Sequence, residues 1–458
     1  MIDAPDDIII EHIANQRAFF STQQTKNIGF RLTQLHKLKQ SILQCQEKIE
    51  HALWDDLHKS PEEAYLTEIS IVVNEIDNHI KHLKKWARPR KVSTPIHLLP
   101  STSRIMHEPL GLALIVAPWN YPFQLLINPL VGAISAGCCS VLKPSPYTPS
   151  IAKVMEDMIV DNFDSNYISV VQGDRKTNTF LFSQRFDIIF FTGSPQLGKV
   201  VMKAAAENLT PVVLELGGKS PCIVDADANL DIAAKRIAWG KLINAGQTCI
   251  APDYLFAHQS IKDELLNKIA KNIQLMYGKN IKQSRFYPRI VSEQALHRLA
   301  GLMKQGKIHT GGEIDAKDRF IAPTIIDHVE PDFLIMQEEI FGPILPVMTF
   351  EHIDQAIKYI NENEKPLAFY YFGKNKKSKE VLAKTTSGGA CVNDVLMHIV
   401  NHNLPFGGVG NSGMGNYHGQ DSFWAFSNKK AILTTPTWID LPLKYIPFKY
   451  FKIIKKII

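Results

Sequence analysis

The amino-acid sequence predicts an α/β fold in which two doubly wound domains each contain a mostly parallel sheet. Its 458 residues are too many for one compact core, which favours two large domains. Apolar runs typical of strands alternate with helical stretches over much of the chain, as expected for parallel strands joined by crossover helices. A hydrophobic fraction of 45% and a charged fraction of 21% are those of an ordinary globular protein.

The first half of the chain changes pattern twice. Residues 8–90 repeat apolar side chains at helical spacing among charges, so we expect helices there. Prolines and alternating residues follow over 92–111, and this pattern favours a β-hairpin. Residues 112–119 then form a strand-like run, a helix is expected from about Phe123, and strands and helices alternate onward from there.

A second alternating series of strands and helices starts near Val212. It includes a helix expected from about Asp231 to Ala245, which would end at Gly246. The sequence has no long Gly/Ser linker, so the change of domain must occur inside a short connection, which we place near Thr210–Pro211.

Charge and cysteine content exclude several classes of protein. The formal net charge is +6, and residues 441–458 contain five lysines and no acid, so the rest of the chain is close to neutral. We therefore predict no nucleic-acid partner. The six cysteines form no C-x-x-C pair and no zinc-like spacing with histidine, which predicts free thiols, a reducing compartment and no metal site. The N-terminus does not resemble a secretory signal peptide, and the apolar stretch 124–142 is interrupted by polar residues, so we expect a cytoplasmic protein.

Four separated segments place reactive or unusual residues at a strand end or a turn. In the first, prolines on both sides hold Asn120 in a defined turn, where its amide could donate to a developing oxyanion. A plain turn-forming asparagine is the alternative. In the second, residues 190–199 run from a strand into a helix, and Gly193 and Gly198 would let a pyrophosphate approach the main chain. Their spacing differs from the usual G-x-G-x-x-G pattern.

The third and fourth segments contain a carboxylate and a thiol. Glu215 lies in an apolar run, where burial would raise the pKa of its carboxyl towards the range useful for a general base. A glutamate at a surface turn is the alternative. Cys249 follows the end of a helix, at the junction with the next strand. Most cysteines are buried and inert, so a structural thiol is the alternative for this residue.

Together these segments resemble the aldehyde dehydrogenase superfamily. The matching motifs occur in that family's order, and Glu215 precedes Cys249 by 34 residues as it does in the family. The likeness runs from the N-terminal helices to about Pro436. Two further motifs, CIAPDY and PFGGVGNSGMGNYHG, resemble the class 3 branch, which oxidises medium- to long-chain aliphatic and aromatic aldehydes, forms dimers, and accepts NAD and often NADP. The family motifs are PWNYP at 118–122, KPS at 143–145, FTGS at 191–194, LELGGKSP at 214–221, GQTC at 246–249 and EEIFGP at 338–343.

The resemblance implies a catalytic mechanism. Cys249 would attack the aldehyde carbon to form a thiohemiacetal, and a thioester would follow. The side-chain amide of Asn120 and the main-chain N–H of Cys249 would hold the oxyanion. Glu215 would act as the general base that hydrolyses the thioester to the carboxylic acid.

The resemblance also implies which residues bind the cofactor and the substrate. The cofactor residues would be Lys143 at the adenosine ribose, Gly193, Ser194 and Gly198 at the pyrophosphate, Gly217 beside the cofactor, Glu339 at the nicotinamide ribose and Phe341 against the nicotinamide ring. Tyr121 and Trp239 would line the substrate tunnel, although both could equally be ordinary core residues.

One position departs from many relatives and bears on the choice of cofactor. Pro146 stands where they have a glutamate that accepts a hydrogen bond from the adenosine ribose. A carboxylate there would repel the 2′-phosphate of NADP, so its absence predicts that either NAD or NADP is used. A reductase that transfers the acyl group to CoA or phosphate is an alternative within the superfamily, but the retained Glu215 favours hydrolysis.

The resemblance also divides the chain into domains. Residues 1–91 and 109–210 would form the NAD(P)-binding domain and 211–424 the catalytic domain, while 92–108 and 425–436 would form a small β-hairpin oligomerisation domain in a homodimer. Residues 437–458 would form a basic amphipathic tail. Its Lys449, Lys452, Lys455 and Lys456, flanked by Phe448, Phe451, Ile454 and Ile458, are spaced as in a helix that lies on an anionic membrane. A tail that packs on the partner subunit or frays is the alternative for residues 441–458.

Overall fold

The computed structural model describes residues 4–440, 442–452 and 455 and confirms the predicted mixed α/β fold with parallel sheets. Among these residues, no helix is both long and apolar enough to cross a membrane. The helices are α1 (Asp6–Ser21), α2 (Ile28–Gln44), α3 (Gln46–Leu57), α4 (Pro61–Ala64), α5 (Ser70–Trp86), α6 (Pro122–Ala136), α7 (Pro149–Val160), α8 (Arg175–Ser183), α9 (Pro195–Ala206), α10 (Leu230–Leu242), α11 (Lys262–Tyr277), α12 (Glu293–Leu302), α13 (Leu334–Gln337), α14 (Ile353–Glu362), α15 (Asn375–Lys384) and α16 (Gln420–Ala425).

The strands are β1 (Arg90–Val92), β2 (Thr102–Pro109), β3 (Leu112–Val116), β4 (Cys139–Lys143), β5 (Ile168–Val170), β6 (Ile188–Gly193), β7 (Val212–Leu216), β8 (Pro221–Val224), β9 (Tyr254–His258), β10 (Lys307–Thr310), β11 (Ile314–Asp315), β12 (Phe320–Ile321), β13 (Thr324–Asp327), β14 (Ile344–Phe350), β15 (Ala368–Phe372), β16 (Gly389–Val392), β17 (Gly413–Met414) and β18 (Ser427–Thr434).

Six strands of the described chain form the first sheet, in the order β17–β7–β6–β3–β4–β5. Its strands are parallel except β17, which pairs antiparallel with β7. Every residue of β3 and β4 is buried, as expected for strands covered by helices on both faces of a sheet.

A second sheet is formed by seven of the described strands, in the order β10–β13–β14–β9–β8–β15–β16. It is parallel except at the β10–β13 edge. The predicted change of domain near Thr210–Pro211 lies too early as a change of sheet, because β7 still pairs with β6 over Val212–Leu216. The chain crosses between the sheets at 217–220, where the glycines Gly217 and Gly218 separate two buried strands.

The third sheet contains the predicted hairpin. β1 pairs with β2, and β2 pairs with β18 along its whole length, from Thr102 opposite Thr434 to Pro109 opposite Ser427. Most residues of β1 and β18 are exposed, and both strands lie at the edges of this sheet. Its predicted role in oligomerisation stays a prediction.

The wholly buried helix α6 connects the first sheet to the functional site. Pro122 occupies its first turn, where a missing N–H costs nothing, and every residue from Pro122 to Ala136 is buried. At its C-terminal end, the buried guanidinium of Arg31 donates to the carbonyl of Ser135 at 3.1 Å and to that of Thr25 at 2.7 Å. These bonds satisfy a carbonyl that the last helical turn leaves unpaired.

One predicted helix boundary is wrong. The helix expected to run to Ala245 and end at Gly246 stops at Leu242, because Asn244 and Ala245 both adopt left-handed backbone conformations. In the tail, Phe448 has a φ of 57°, outside the right-handed helical region, so the predicted helix stays a prediction for the residues after it. Helical backbone is described only at 451, 452 and 455, and the predicted positions Ile454, Lys456 and Ile458 lie outside the described residues.

Candidate active site

A cavity of about 190 Å³ lies where the ends of β6 and β7 meet the segments after β3 and α10. It brings together most of the residues that the sequence singles out, although they are far apart along the chain. Lys143, Gly198, Tyr121 and Trp239 do not line it. The lining residues are Pro118, Trp119, Asn120, Leu125, Thr192, Gly193, Ser194, Glu215, Leu216, Gly217, Cys249, Glu339 and Phe341.

Asn120 reaches the cavity from the turn between β3 and α6. Its residue surface is 2% exposed, and its Nδ2 donates a hydrogen bond to the main-chain carbonyl of Gln247 at 3.0 Å. A primary amide has two N–H groups, so one N–H orients the side chain while the other remains for a ligand in the cavity. The predicted donor and the segment that contains Cys249 are therefore in direct contact.

The segment before Cys249 folds into a tight left-handed turn. Asn244 has a φ of 50° and Ala245 a φ of 51°, which end α10 abruptly. The Asn244 side chain stabilises this turn by donating to the carbonyl of Asn120 at 2.7 Å and to that of Gln247 at 3.2 Å. The main-chain N–H of Asn244 donates to the Glu63 carboxylate at 2.7 Å. Gly246 is required because a Cβ there would lie 2.3 Å from the carbonyl oxygen of Gly342.

The Gln247 side chain fixes the turn from its other side. Its amide nitrogen donates to the carbonyls of Asn244 and Arg289, at 3.1 and 3.0 Å, and its amide oxygen accepts from the N–H of Val291 at 2.9 Å. Gln247 is 0% exposed, so these bonds are shielded from water. The main chain that leads to Cys249 is thus held by side-chain bonds rather than by a helix or strand.

Cys249 is half-buried, with its thiol at the cavity wall. Burial and the carboxyls of Glu339 and Glu215 hold the pKa of this thiol well above its usual range, while the main-chain N–H groups of Cys249 and Ile250 lower it. In this environment the resting thiol keeps its proton. All six cysteines, which fall within the described residues, are free thiols as predicted.

Glu215 lies in β7 and is 3% exposed, so it is buried rather than at a surface turn. Neither carboxylate oxygen has a hydrogen-bond partner among the described residues. Burial therefore raises the pKa of Glu215 well above its usual value. When such a carboxyl is deprotonated, its raised pKa makes it a stronger base, able to accept a proton from a water molecule.

Glu339 approaches the main chain of Gly217 from the opposite wall. A Cβ at position 217 would lie 2.0 Å from Oε2 of Glu339, so only glycine allows this approach. Burial and the Asp253 carboxylate raise the pKa of Glu339 to about 8, against the N–H of Gly218 and the charge of Lys219, which lower it. Beside it, Phe341 has a φ of 54° and packs edge-on against Trp119, with ring centroids 5.4 Å apart.

The N-terminus of α9 borders both this cavity and a second one of about 520 Å³. Ser194 caps the helix by accepting a hydrogen bond from the N–H of Leu197 at 3.4 Å. Gly198 has a packing role, because a Cβ there would lie 2.8 Å from Leu216 in β7. The second cavity is lined by Ser194, Lys199, Lys219, Arg298 and Glu339 among other residues.

Besides Gly198, three predicted residues do not line the first cavity. Lys143 is buried, and its Nζ donates to the carbonyl of Pro144 at 2.8 Å. Tyr121 is buried, and its hydroxyl lies 2.7 Å from Oγ1 of Thr248. Trp239 is half-buried in α10. The tunnel role of these two aromatic residues stays a prediction.

Comparison with known proteins decides the family. The model of the aldehyde dehydrogenase family matches residues 5–432. The chain belongs to the aldehyde dehydrogenase family. A relative from Staphylococcus aureus (strain NCTC 8325 / PS 47), named 4,4'-diaponeurosporen-aldehyde dehydrogenase, is 46% identical over 98% of this chain and 99% of its own. A dog relative, named aldehyde dehydrogenase, dimeric NADP-preferring, is 44% identical over 95% of this chain and 96% of its own.

Solved structures agree with this placement. The substrate-bound structure of an aldehyde dehydrogenase from Staphylococcus aureus superposes with a TM-score of 0.96, at 46% identity, over 98% of this chain and 99% of that one. A mouse relative, 44% identical over 91% of this chain and 86% of its own, is named aldehyde dehydrogenase family 3 member A2, which agrees with the predicted class 3 branch.

This aldehyde dehydrogenase also has site residues that sequence reasoning missed. Lys59, Glu63 and Glu68 lie in the N-terminal helical region, where charged residues normally face water. Lys59 and Glu68 are both 0% exposed and lie directly behind Asn120. Their spacing along the chain gives no signal of this. Only helical spacing could have indicated that Glu68 is buried, because it places Glu68 on the same helix face as the buried residues Ala64 and Val72.

Proposed function

We propose that this protein oxidises an aldehyde to the carboxylic acid by covalent catalysis at Cys249, with NAD or NADP as the hydride acceptor. The observation that carries the proposal is the convergence of Cys249, Glu215, Asn120 and Glu339 on one cavity. A soft nucleophile, a buried base and an oriented amide donor are the groups that this chemistry requires.

The residues around the cavity fit a dinucleotide. Gly217 leaves the space that a Cβ would fill next to Glu339, and α9 presents its N-terminus beside the second cavity, where a pyrophosphate would be stabilised by main-chain N–H groups. Ser194 and Gly193 would hold the pyrophosphate, Glu339 the nicotinamide ribose, Phe341 the nicotinamide ring and Lys143 the adenosine ribose. When bound, NAD(P) supplies the acceptor for the hydride that leaves the substrate carbon.

The first chemical step is attack of the Cys249 sulfur on the aldehyde carbon. The thiol gives up its proton to solvent water, the S–C bond forms, and the C=O π electrons move onto the oxygen to give a thiohemiacetal oxyanion. The free N–H of Asn120 and the main-chain N–H of Cys249 stabilise that oxyanion. When the oxyanion collapses and the hydride leaves, the substrate remains on Cys249 as a thioester.

Glu215 completes the cycle by hydrolysing the thioester. Its carboxylate takes a proton from a water molecule, the oxygen of that water attacks the thioester carbon, and the Cys249 thiolate leaves as the acid forms. Because burial favours the protonated form of Glu215, its deprotonation limits this step at low pH.

The substrate is proposed to be a medium- to long-chain aliphatic or an aromatic aldehyde. Support comes from the loop 395–404, which packs against Gly240 next to Trp239. This loop exposes the apolar side chains of Met397, Val400 and Leu404, each about 45% accessible. If Trp239 lines the substrate tunnel, this apolar loop would favour hydrocarbon there but discriminate weakly between neighbouring chain lengths, since a methylene contributes only ~1–3 kcal/mol.

A panel of aldehydes tests this proposal. We expect kcat/KM to rise from short to medium and long aliphatic chains. We also expect both NAD and NADP to be accepted, because Pro146 provides neither a carboxylate that would repel the 2′-phosphate of NADP nor a hydrogen-bond donor that would bind it. Cys249→Ala should abolish oxidation while cofactor binding, followed by titration, persists. Oxidation that continued in Cys249→Ala would refute the mechanism, and a flat or inverse chain-length dependence would refute the substrate class.

We also propose that the protein is a homodimer. The dog relative is named as dimeric, and the three-stranded sheet leaves β1 and β18 as exposed edges that a second copy could cover. Light scattering of the full chain should give twice the monomer mass, and a monomer mass across the concentration range would contradict this.

The tail, residues 441–458, is proposed to contact an anionic membrane surface. Its described part exposes Ile446 to 82% and Phe451 to 61%, between Lys444, Lys449 and Lys452. Exposed apolar side chains flanked by lysines fit a lipid interface. Full-length protein should float with anionic vesicles and not with neutral ones, whereas a chain ending at Pro436 should stay in solution. Equal flotation of the two chains would contradict this proposal. A tail that is buried against the partner subunit in the dimer would contradict it as well.

A further inference from the structure

A buried ion pair lies directly behind the proposed oxyanion donor. Lys59 and Glu68 are both fully buried, and Lys59 Nζ lies 2.5 Å from Glu68 Oε1. Glu68 belongs to the π-helical turn Tyr65–Ile69 that joins α4 to α5. A buried pair adds little net stability, because the loss of hydration offsets the attraction. The further contacts of the two side chains are therefore the informative feature.

Lys59 contacts the segment that contains Asn120 in two ways. Its Nζ donates to the main-chain carbonyl of Asn120 at 3.3 Å. The same ammonium lies 4.2 Å from the ring centroid of Tyr121, close enough for a cation–π interaction. The carbonyl of Asn120 thus accepts from both Lys59 and Asn244.

Glu68 holds the next residues of the same segment. Its Oε2 accepts hydrogen bonds from the N–H groups of Phe123 at 2.9 Å and Gln124 at 3.2 Å, in the first turn of α6. A carboxylate at that position satisfies helical N–H groups that would otherwise be unpaired, and it is favoured by the positive end of the helix dipole. The pair therefore fixes the main chain from 120 to 124 at both ends.

We propose that Lys59, held by Glu68, is a positioning residue for the oxyanion site. It fixes the main chain of Asn120, and so sets the direction in which the Asn120 amide meets the substrate oxygen. The donors of the oxyanion site come from two distant segments, and the Asn120 carbonyl, Asn244 and the Gln247 carbonyl join these segments at one point. This inference rests on the proposed role of Asn120.

The test compares Lys59→Met, Lys59→Met/Glu68→Gln and Arg31→Met in the full-length protein. Methionine keeps the apolar volume of the lysine stem but removes the contact with the Asn120 carbonyl. The double variant does not leave Glu68 as a buried carboxylate without its ion-pair partner, so it should unfold at a higher temperature than the single variant. Arg31→Met is the matched control, because Arg31 holds the opposite end of α6, at Ser135.

Two rates are measured, along with the KM of the cofactor. One is the burst of 4-nitrophenol on mixing with 4-nitrophenyl acetate, which reports acylation of Cys249 and needs no cofactor. The other is kcat for aldehyde oxidation. In both Lys59 variants we expect each rate to fall roughly 10- to 100-fold, because a misplaced donor forfeits part of its effect on the transition state. The cofactor KM should not change.

Thermal stability and the acylation rate should respond differently to these substitutions. The double variant should regain thermal stability but not the acylation rate, and Arg31→Met should lose stability without losing the rate. Recovery of the rate together with stability in the double variant would overturn the proposal, as would an equal loss of rate in Arg31→Met. If Lys59→Met does not fold, the double variant alone decides.

The variant Asn120→Ala distinguishes the proposed role of Asn120 from the proposed positioning role of Lys59. If it leaves the acylation rate unchanged, the proposed role of Asn120 is wrong, and positioning by Lys59 falls with it. If Asn120→Ala lowers the rate while the Lys59 variants do not, only the positioning role is wrong.

Discussion

The side-chain amide of Asn120 donates a hydrogen bond to the main-chain carbonyl of Gln247, 3.0 Å away, two residues before Cys249. This bond joins the end of a strand in the first sheet to the turn that leads into the second sheet. It orients one N–H of Asn120 and leaves the other for the proposed contact with the substrate oxygen. The proposed oxyanion site therefore depends on a hydrogen bond between two segments that are far apart in the sequence.

The first prediction concerns this amide. Asn120→Ala should lower kcat roughly 100- to 1000-fold, because one oxyanion donor is lost, while the dissociation constant of the cofactor stays the same. Steady-state kinetics and a cofactor titration measure the two effects. A variant that retained more than about a tenth of the parent kcat would argue that the oxyanion forms elsewhere.

The second prediction concerns Glu215. Glu215→Gln keeps the size of the side chain but removes the base, so one equivalent of NAD(P)H should form quickly and further turnover should almost stop. Stopped-flow absorbance at the reduced-nicotinamide band resolves the two phases. Unchanged turnover after the burst would show that another group hydrolyses the thioester.

Glu215 also predicts the pH dependence of turnover. Only its deprotonated form is a base, and burial raises its pKa, so kcat should still rise with pH well above 4.5, the usual pKa of a glutamate, where hydrolysis limits the rate. A kcat that reached its plateau as if the pKa of the base were 4.5 would contradict the raised pKa.

The third prediction tests the cofactor contact at Gly217. A methyl group there would lie 2.0 Å from Glu339 Oε2, so Gly217→Ala must displace that carboxylate. We expect the KM for NAD(P) to rise about tenfold or more, the effect of losing roughly 1.4 kcal/mol of binding. Gly301→Ala is the control, because it lies in α12 with no heavy atom within 4 Å of the added methyl group, and alanine should stabilise that helix slightly. Equal KM values in the two variants would exclude a cofactor role for this contact.

The fourth prediction concerns stability. The buried carboxylate of Glu75 accepts hydrogen bonds from His402 at 2.8 Å and His79 at 3.1 Å, and from the N–H of Gly419 at 2.6 Å. Burial alone would raise the pKa of Glu75, but the hydrogen bonds from His402 and His79 outweigh it and hold that pKa well below its usual value. A lowered pKa means that this stabilisation is complete above the unfolded value, near 4.5, and is lost as the pH falls below it.

Glu75→Gln should therefore lower the free energy of unfolding by about 1.5–3 kcal/mol at pH 7, the usual contribution of hydrogen bonds to a charged group. Denaturant titrations of parent and variant should give a constant difference down to about pH 5 and a shrinking one below it. A difference that grew as the pH fell would contradict the lowered pKa of Glu75.

Much of the fold could be predicted because periodicity and motifs are local. The buried strands β3 and β6 are continuous apolar runs, and the GQTC and LELGGKSP motifs identify Cys249 and Glu215 without a structure. The point where the chain leaves the first sheet could not be predicted, because β7 and β8 are both short buried strands and only strand pairing assigns each to its sheet.

The rest depends on contacts between distant residues. The left-handed turn at Asn244 and Ala245 is stabilised by Glu63 and Asn120, more than a hundred residues earlier, so helical propensity alone extended α10 too far. Lys59 and Glu68 could not be recognised for the same reason, since isolated charges in a helical segment normally indicate a solvated surface.

The central claim is that Cys249 bears the substrate during turnover. Glu215→Gln protein is mixed with an aldehyde and NAD(P), quenched after the burst and digested for peptide mass spectrometry. We predict a peptide containing Cys249 that is heavier by the mass of the aldehyde less two hydrogens, the mass change of a thioester, with the other five cysteines unmodified. An acyl group on another cysteine, or a full burst of NAD(P)H with no acylated Cys249, would contradict the account.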